Sequence, residues 1–268
     1  MVVRSDGHLL TNAHLVDGAD RVEVRLHGQE MRRADVVGSD DATDLAVLRV
    51  DVDGLEPAAL GSAEHLRAGD DVIALGHAHG MLGDASVEQR VVSELDQRLK
   101  MPSNTVLHGM ILLDAPLTDG AAGGPLLDGA GAVIGITNAI PAAANERAYG
   151  VATPADVAVH AAEHLMEHGR VQHVWLGIEG IDLQPDRAAE LGVAGGASIK
   201  DVADDSPAAA AGLAPGDVVV GVDDTSVSSM SEVIATLRTH DPGDTVGLTV
   251  RRGEDEVRTS AVLAQKTR

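Results

Sequence analysis

Gly120-Ala121-Ala122-Gly123-Gly124-Pro125-Leu126 is a glycine-framed turn with a methyl group at Ala122. A serine at the middle of such a turn would be a candidate nucleophile. A hydroxyl attacks a carbonyl and a methyl group does not.

Upstream, the chain reads as short β-rich runs separated by Gly, Asp and Pro. Residues 1–4 and 8–11 flank a Ser5-Asp6-Gly7 turn and predict a hairpin. Further strands are expected over 21–26, 34–37, 45–50, 71–75, 86–95, 109–113 and 132–137, a spacing typical of an all-β barrel or sandwich. His14 follows one strand in Thr-Asn-Ala-His-Leu-Val, and Asp44 opens another in Thr-Asp-Leu-Ala-Val-Leu. From Pro154 the pattern becomes helical, with Ala, Val, His and Leu repeating until Gly169 stops it.

Downstream lies a second pattern of about 95 residues, expected as an α+β module. Strands are predicted over 175–182, 197–202 and 218–222, and a last hairpin over 245–251 and 256–263. Ser206-Pro207 opens an alanine-rich helix that ends at Gly212, and a second helix spans 231–239, capped by Ser229 or Ser231. The two regions are placed at residues 1–168 and 173–268.

The 268 residues hold 42 acidic and 20 basic side chains, a formal charge of −22 spread along the chain. That field disfavours nucleic acid and anionic lipid as partners. The absence of cysteine excludes disulfides and thiol chemistry, and with one Trp, one Tyr and no Phe the core must be aliphatic. No apolar run approaches the roughly 18 residues of a membrane span, and no signal peptide precedes the first strand.

Histidine, aspartate and a G-x-x-G-G-P turn in that order on a β framework resemble the trypsin-like proteases of chymotrypsin fold. More narrowly, the chain resembles the HtrA/DegP group, in which a protease domain precedes a PDZ domain. The matching stretches are LLTNAHLVDGADRVEV, VVGSDDATDLAVLRV, GGPLLDGAGAVIGITNA, VWLGI and SPAAAAGLAPGDVVVGVDD. The resemblance implies a mainly β fold: a chymotrypsin-like double β-barrel followed by an α+β PDZ domain.

Carried over residue by residue, it implies His14 as general base, Asp44 as the carboxylate that orients it, and Ala122 at the nucleophile position. The backbone N–H groups of Gly120 and Ala122 would form the oxyanion hole, which needs no side chain. Pro116, in place of an aspartate, implies a primary pocket without charge, suited to small aliphatic side chains. In the second domain it implies capture of a peptide C-terminus. The carboxylate would be received at Trp175, Leu176, Gly177 and Ile178, the strand through Glu179 would pair with the ligand, and Val233 or Leu237 would wall the groove.

The resemblance also has gaps. The family reads Asn-Pro-Gly-Asn-Ser-Gly-Gly-Pro where this chain has Thr118-Asp119-Gly120-Ala121-Ala122-Gly123-Gly124-Pro125. Asp119 would bring negative charge beside the anion hole. Ser103 and Thr118, the nearest hydroxyls in sequence, lie off the Gly-Gly-Pro turn. No cofactor and no metal are expected. His77 and His79, with His108 as a conceivable third ligand, read as a polar loop after a strand, and His160, His164 and His168 as surface histidines near a helix C-terminus.

Two function classes follow. One is a proteolytically inactive homologue that binds unfolded or C-terminal peptides. The other is a quality-control serine endopeptidase, active only if a nucleophile is restored or supplied otherwise. A regulatory subunit in a mixed oligomer is a weaker third. Polypeptides are the expected partners, the resemblance implies trimers, and it places the protein outside the cytoplasm if an upstream segment exists, in the cytoplasm otherwise.

Overall fold

The computed structural model describes residues 1–77, 85–101, 103–138 and 149–266. They form two compact units, Met1–Val171 and Gln172–Arg268. In the first unit the strands are β1 (His8–Thr11), β2 (Val22–Arg25), β3 (Met31–Asp40), β4 (Leu45–Arg49), β5 (Asp71–Gly76), β6 (Ser86–Lys100), β7 (Val106–Leu113), β8 (Pro125–Leu127), β9 (Val133–Asn138) and β10 (Gly150–Pro154), followed by helix α1 (Ala155–His168).

Two β layers result. Strands β1, β4, β3 and β2 form a four-stranded sheet in that order, and β10-β7-β6-β5-β8-β9 close into a barrel. Among the described residues the first layer is an open sheet and the second a closed barrel, the mainly β architecture that was expected. Beyond β1, the expected partner strand at residues 1–4 is reduced to an isolated Val2–Leu9 bridge. Strand β4 shows why the sheet forms here: Leu45, Ala46 and Val47 are fully buried and Leu48 nearly so, with arginine only at the end. A continuous apolar run of this length suits a strand covered on both faces.

One of those faces meets α1. Ala158, Ala161, Ala162 and Leu165 recur at helical spacing and pack with Leu10, Val47 and Ile136. Pro154 precedes the helix, and Gly169 ends it at φ +69°, donating its N–H to Leu165 O. The barrel interior is filled by Val72, Ala74, Ile111, Leu113, Leu126 and Ile134.

The second unit contains β11 (Val174–Trp175), β12 (Ile178–Asp182), α2 (Pro185–Leu191), β13 (Ala197–Val202), α3 (Pro207–Ala210), β14 (Val218–Val222), β15 (Thr225–Ser226), α4 (Met230–Leu237), β16 (Thr245–Arg252), β17 (Asp255–Val262) and β18 (Ala264–Gln265). Its main sheet runs β12-β13-β14-β16-β17, with β12 at an edge. The single strand expected over 175–182 is broken at Leu176–Gly177, where Gly177 adopts φ +86° and a β-carbon would collide with Ser206. Helix α2 was not anticipated. As read from sequence, the Ser206 side chain caps α3, accepting the Ala209 N–H at 3.1 Å, and Ser229 caps α4, accepting the Glu232 N–H at 3.0 Å.

Candidate active site

His14 sits in a one-turn 3-10 helix, Ala13–Leu15, directly after β1. Asp44 stands just before β4 in the left-handed region, φ +54°, which aspartate tolerates better than most residues. This conformation lets one residue hold the histidine turn at three points. Its carbonyl accepts the Ala13 N–H at 3.1 Å, one carboxylate oxygen accepts the His14 backbone N–H at 3.0 Å, and the other lies 2.7 Å from His14 Nδ1. Asp44 is 4 % exposed. With the carboxylate accepting at Nδ1, the free ring nitrogen is Nε2, the position a general base uses.

The carboxylate has a further partner that sequence reasoning missed. Asn138, at the end of β9, donates its side-chain N–H to Asp44 Oδ2 at 2.7 Å, and the Thr153 hydroxyl donates to Asn138 Oδ1 at 3.3 Å. Asn12 adds a bond from its side chain to the Asp44 carbonyl, 3.1 Å. All four side chains in this relay other than His14 are buried. The pKa of His14 is raised above 6.5, first by its hydrogen bond to Asp44 and further by the charge of that carboxylate, while partial burial opposes the shift.

The glycine-framed turn is held by a different means. Asp119–Ala121 form a 3-10 turn in which the Ala121 N–H reaches Thr118 O at 2.8 Å and the His77 N–H reaches Gly120 O at 2.8 Å. The Thr137 hydroxyl donates to the carbonyl oxygens of Ala121 and Gly124. Three glycines are required by space. A β-carbon on Gly76 would strike the backbone of Gly120 and Ala121, one on Gly124 would strike Leu75 O, and one on Gly123, at φ +73°, would strike Thr11 Oγ1 and lie 3.2 Å from Leu15 Cδ1. The last contact seats the turn against the segment that carries His14. Ala122 follows at φ −55°, half-buried.

The two alternative hydroxyls have other surroundings. Thr118 Oγ1 donates to Glu88 Oε1 at 2.6 Å, and Glu88 pairs in turn with Arg90, whose guanidinium also donates to Pro116 O at 3.0 Å. Ser103 lies in the turn between β6 and β7, exposed. The side chain of Asp119 and residues His79 and Ala78 lie outside what the structure describes. His77 falls beyond the end of β5. His164 corrects another expectation: it is buried, at 8 % exposure, rather than a surface residue.

In the second unit, the break between β11 and β12 turns two carbonyls inward: Leu176 O accepts from Ala208 N and Gly177 O from Ala203 N, both at 2.9 Å. The N–H groups of Leu176 and Gly177 have no protein acceptor among the described residues. Strand β12 pairs with β13 on one side only, and α4 lies along it, Met230 Sδ standing 3.5 Å from where a Gly180 β-carbon would be. Leu176, Val233 and Leu237 are core residues of this unit, 3 %, 1 % and 7 % exposed. Trp175 and Ile178 are half-buried.

Comparison with known proteins agrees with both halves of this description. Residues 1–136 match the trypsin-like peptidase domain and residues 175–263 the PDZ domain. Serine endoprotease DegS of Haemophilus influenzae is 33 % identical over 255 residues, covering 94 % of this chain and 72 % of its own length. A "Probable periplasmic serine endoprotease DegP-like" of Halomonas elongata is 37 % identical over 257 residues, covering 94 % of this chain. The chain spans 53 % of that relative, and 62 % of a cyanobacterial one. Among solved structures, HtrA-type protease AlgW with tripeptide superposes with a TM-score of 0.74 at 32 % identity, over 100 % of this chain and 89 % of that one. With a trypsin-like domain followed by a PDZ domain, and relatives that share both, the chain belongs to the HtrA-type serine protease family.

Proposed function

We propose that this chain is a peptide-binding member of the family whose protease site is silent as written. One observation carries the reading: His14 and Asp44 are paired at 2.7 Å, and the glycine-framed turn carries at Ala122 only a methyl group. General base and orienting carboxylate then have no hydroxyl to activate, and Thr118 is engaged with Glu88. In this reading the N–H groups of Gly120 and Ala122 keep the role of oxyanion donors. The loop through Trp175, Leu176, Gly177 and Ile178 receives a peptide C-terminus. The open edge of β12 pairs with the peptide backbone. Peptide-bound AlgW structures support polypeptides as the ligand class. Relatives named as periplasmic support an extracytoplasmic location. Homo-oligomers, trimers by resemblance, belong to the same proposal.

A second reading, a serine endopeptidase once the nucleophile is restored, is favoured by the intact Asp44–His14 pair. A fluorophosphonate probe separates the two. The chain as written should remain unlabelled, and labelling would refute the silent site. Ala122→Ser should label and cleave casein, because removing the serine from an assembled triad costs on the order of 10⁶ in turnover. Fluorescence polarisation tests the groove: peptides with a free C-terminal carboxylate should bind and their amidated forms should not.

A further inference from the structure

We propose that His160 and His164 of α1 form a binding site for a borderline transition-metal dication of the Zn2+, Ni2+ or Cu2+ class. Neither residue takes part in the acid–base pair or the peptide groove. They stand four residues apart, so they share one face of the helix. Their ring centroids are 4.4 Å apart with the planes inclined at 42°, and a nitrogen of one ring lies within 4.8 Å of a nitrogen of the other. A metal about 2.0–2.1 Å from each of two imidazole nitrogens in tetrahedral geometry needs them about 3.3 Å apart. Side-chain rotation alone closes that difference.

The helix is suited to hold such a pair. Ala158, Ala161, Ala162 and Leu165 anchor it in the core, so the backbone that spaces the two rings is fixed before any ion arrives. His160 is half-buried and His164 is buried. His168, one turn further, meets His164 edge-on, with centroids 5.8 Å apart at 74°. It is therefore a neighbour of the pair rather than a convergent third ligand. Imidazole nitrogens select zinc, nickel and copper over magnesium and calcium, and a net charge of −22 attracts any dication.

The test is calorimetric titration of chelator-treated full chain with ZnCl2 near neutral pH. One ion should bind per chain. His160→Ala and His164→Ala should each weaken binding at least about 10–100-fold, the loss that follows removal of even an outer partner of a metal ligand. His168→Ala and His77→Ala should leave it intact. Because His164 is buried and its variant is at risk of misfolding, His160→Ala carries the result on its own. An independent readout is the melting temperature of the native chain, which should rise on the order of 5 °C at a hundredfold excess over Kd, with no rise in His160→Ala. Absence of binding by the native chain, binding unchanged in both His160→Ala and His164→Ala, or equal loss in His168→Ala would each overturn the assignment.

Discussion

The two halves of the protease site are built on different principles. The acid–base half is held by side chains: Asp44 takes hydrogen bonds from His14 at two points and from Asn138, with Thr153 behind. The nucleophile half is held by backbone and by missing side chains, through Gly76, Gly123 and Gly124 and the carbonyls that Thr137 bridges. Among the described residues, these contacts do not involve the side chain of residue 122. A methyl group at Ala122 is compatible with the contacts that hold this turn.

The sharpest way to test that division is to restore the hydroxyl and then damage the other half. In an Ala122→Ser background, Asp44→Asn should reduce ester hydrolysis by about 10⁴, because the amide leaves the imidazole in the wrong tautomer while the turn is untouched. A loss of tenfold or less, measured as kcat/KM on a small ester, would mean that Asp44 does not set the ring's tautomer. The turn's own integrity is read separately by fluorophosphonate labelling of the double variant.

Next in size is a change confined to the nucleophile half. Gly124→Ala introduces a β-carbon against Leu75 O and, at 2.9 Å, Ala121 O, both backbone atoms that cannot swing away. Overpacking of this kind costs about 1–3 kcal/mol, here toward the upper end. Urea unfolding should show it as a lower midpoint, and an unchanged midpoint would mean the turn is looser than its contacts indicate. Asn138→Ala strikes the acid–base half with a somewhat smaller effect. It deprives a buried carboxylate oxygen of one donor and the Thr153 hydroxyl of the nearest of its acceptors, about 1–2 kcal/mol. If it proves neutral, the relay behind Asp44 contributes nothing to stability.

These two substitutions also mark what was legible in the sequence. The Gly-Gly-Pro frame, His14 and Asp44 could be read because each lies in a short local pattern. Asn138 could not: it is 94 residues from Asp44, and only the pairing of β9 with β10 and β8 brings it there. Strand β8 was hidden for a related reason, since three residues beginning with Pro125 show no alternation. In the second unit the helix caps at Ser206 and Ser229 were readable. The break at Gly177 was not, because its cause is the distant Ser206 side chain occupying the space of a β-carbon. The histidines at 160, 164 and 168 were recognised as a helical repeat, but periodicity gives spacing, not burial, and His164 lies on the buried side.

The smallest expected effect concerns the proton on His14, and its sign follows from the hydrogen bond. Asp44 raises the His14 pKa above 6.5, through the hydrogen bond first and through charge second, against the opposing pull of partial burial. A folded-state pKa above the unfolded one means that the folded chain binds this proton more tightly, so the protonated ring contributes stability. That contribution is fully present below pH 6.5 and disappears as the pH rises through the folded value. In Asp44→Asn both raising causes are gone and only the opposing burial remains, so the ring should titrate at or below its ordinary value. The stability lost by the variant then has a constant part, from the hydrogen bonds that no longer form, and a part seen only in acid. Urea unfolding of both proteins at about pH 5.5 and about pH 9 should give the larger difference at the lower pH. A difference equal at both would show that Asp44 holds His14 by geometry alone, without binding its proton, and the acid–base half would then resemble the turn more closely than its hydrogen bonds imply.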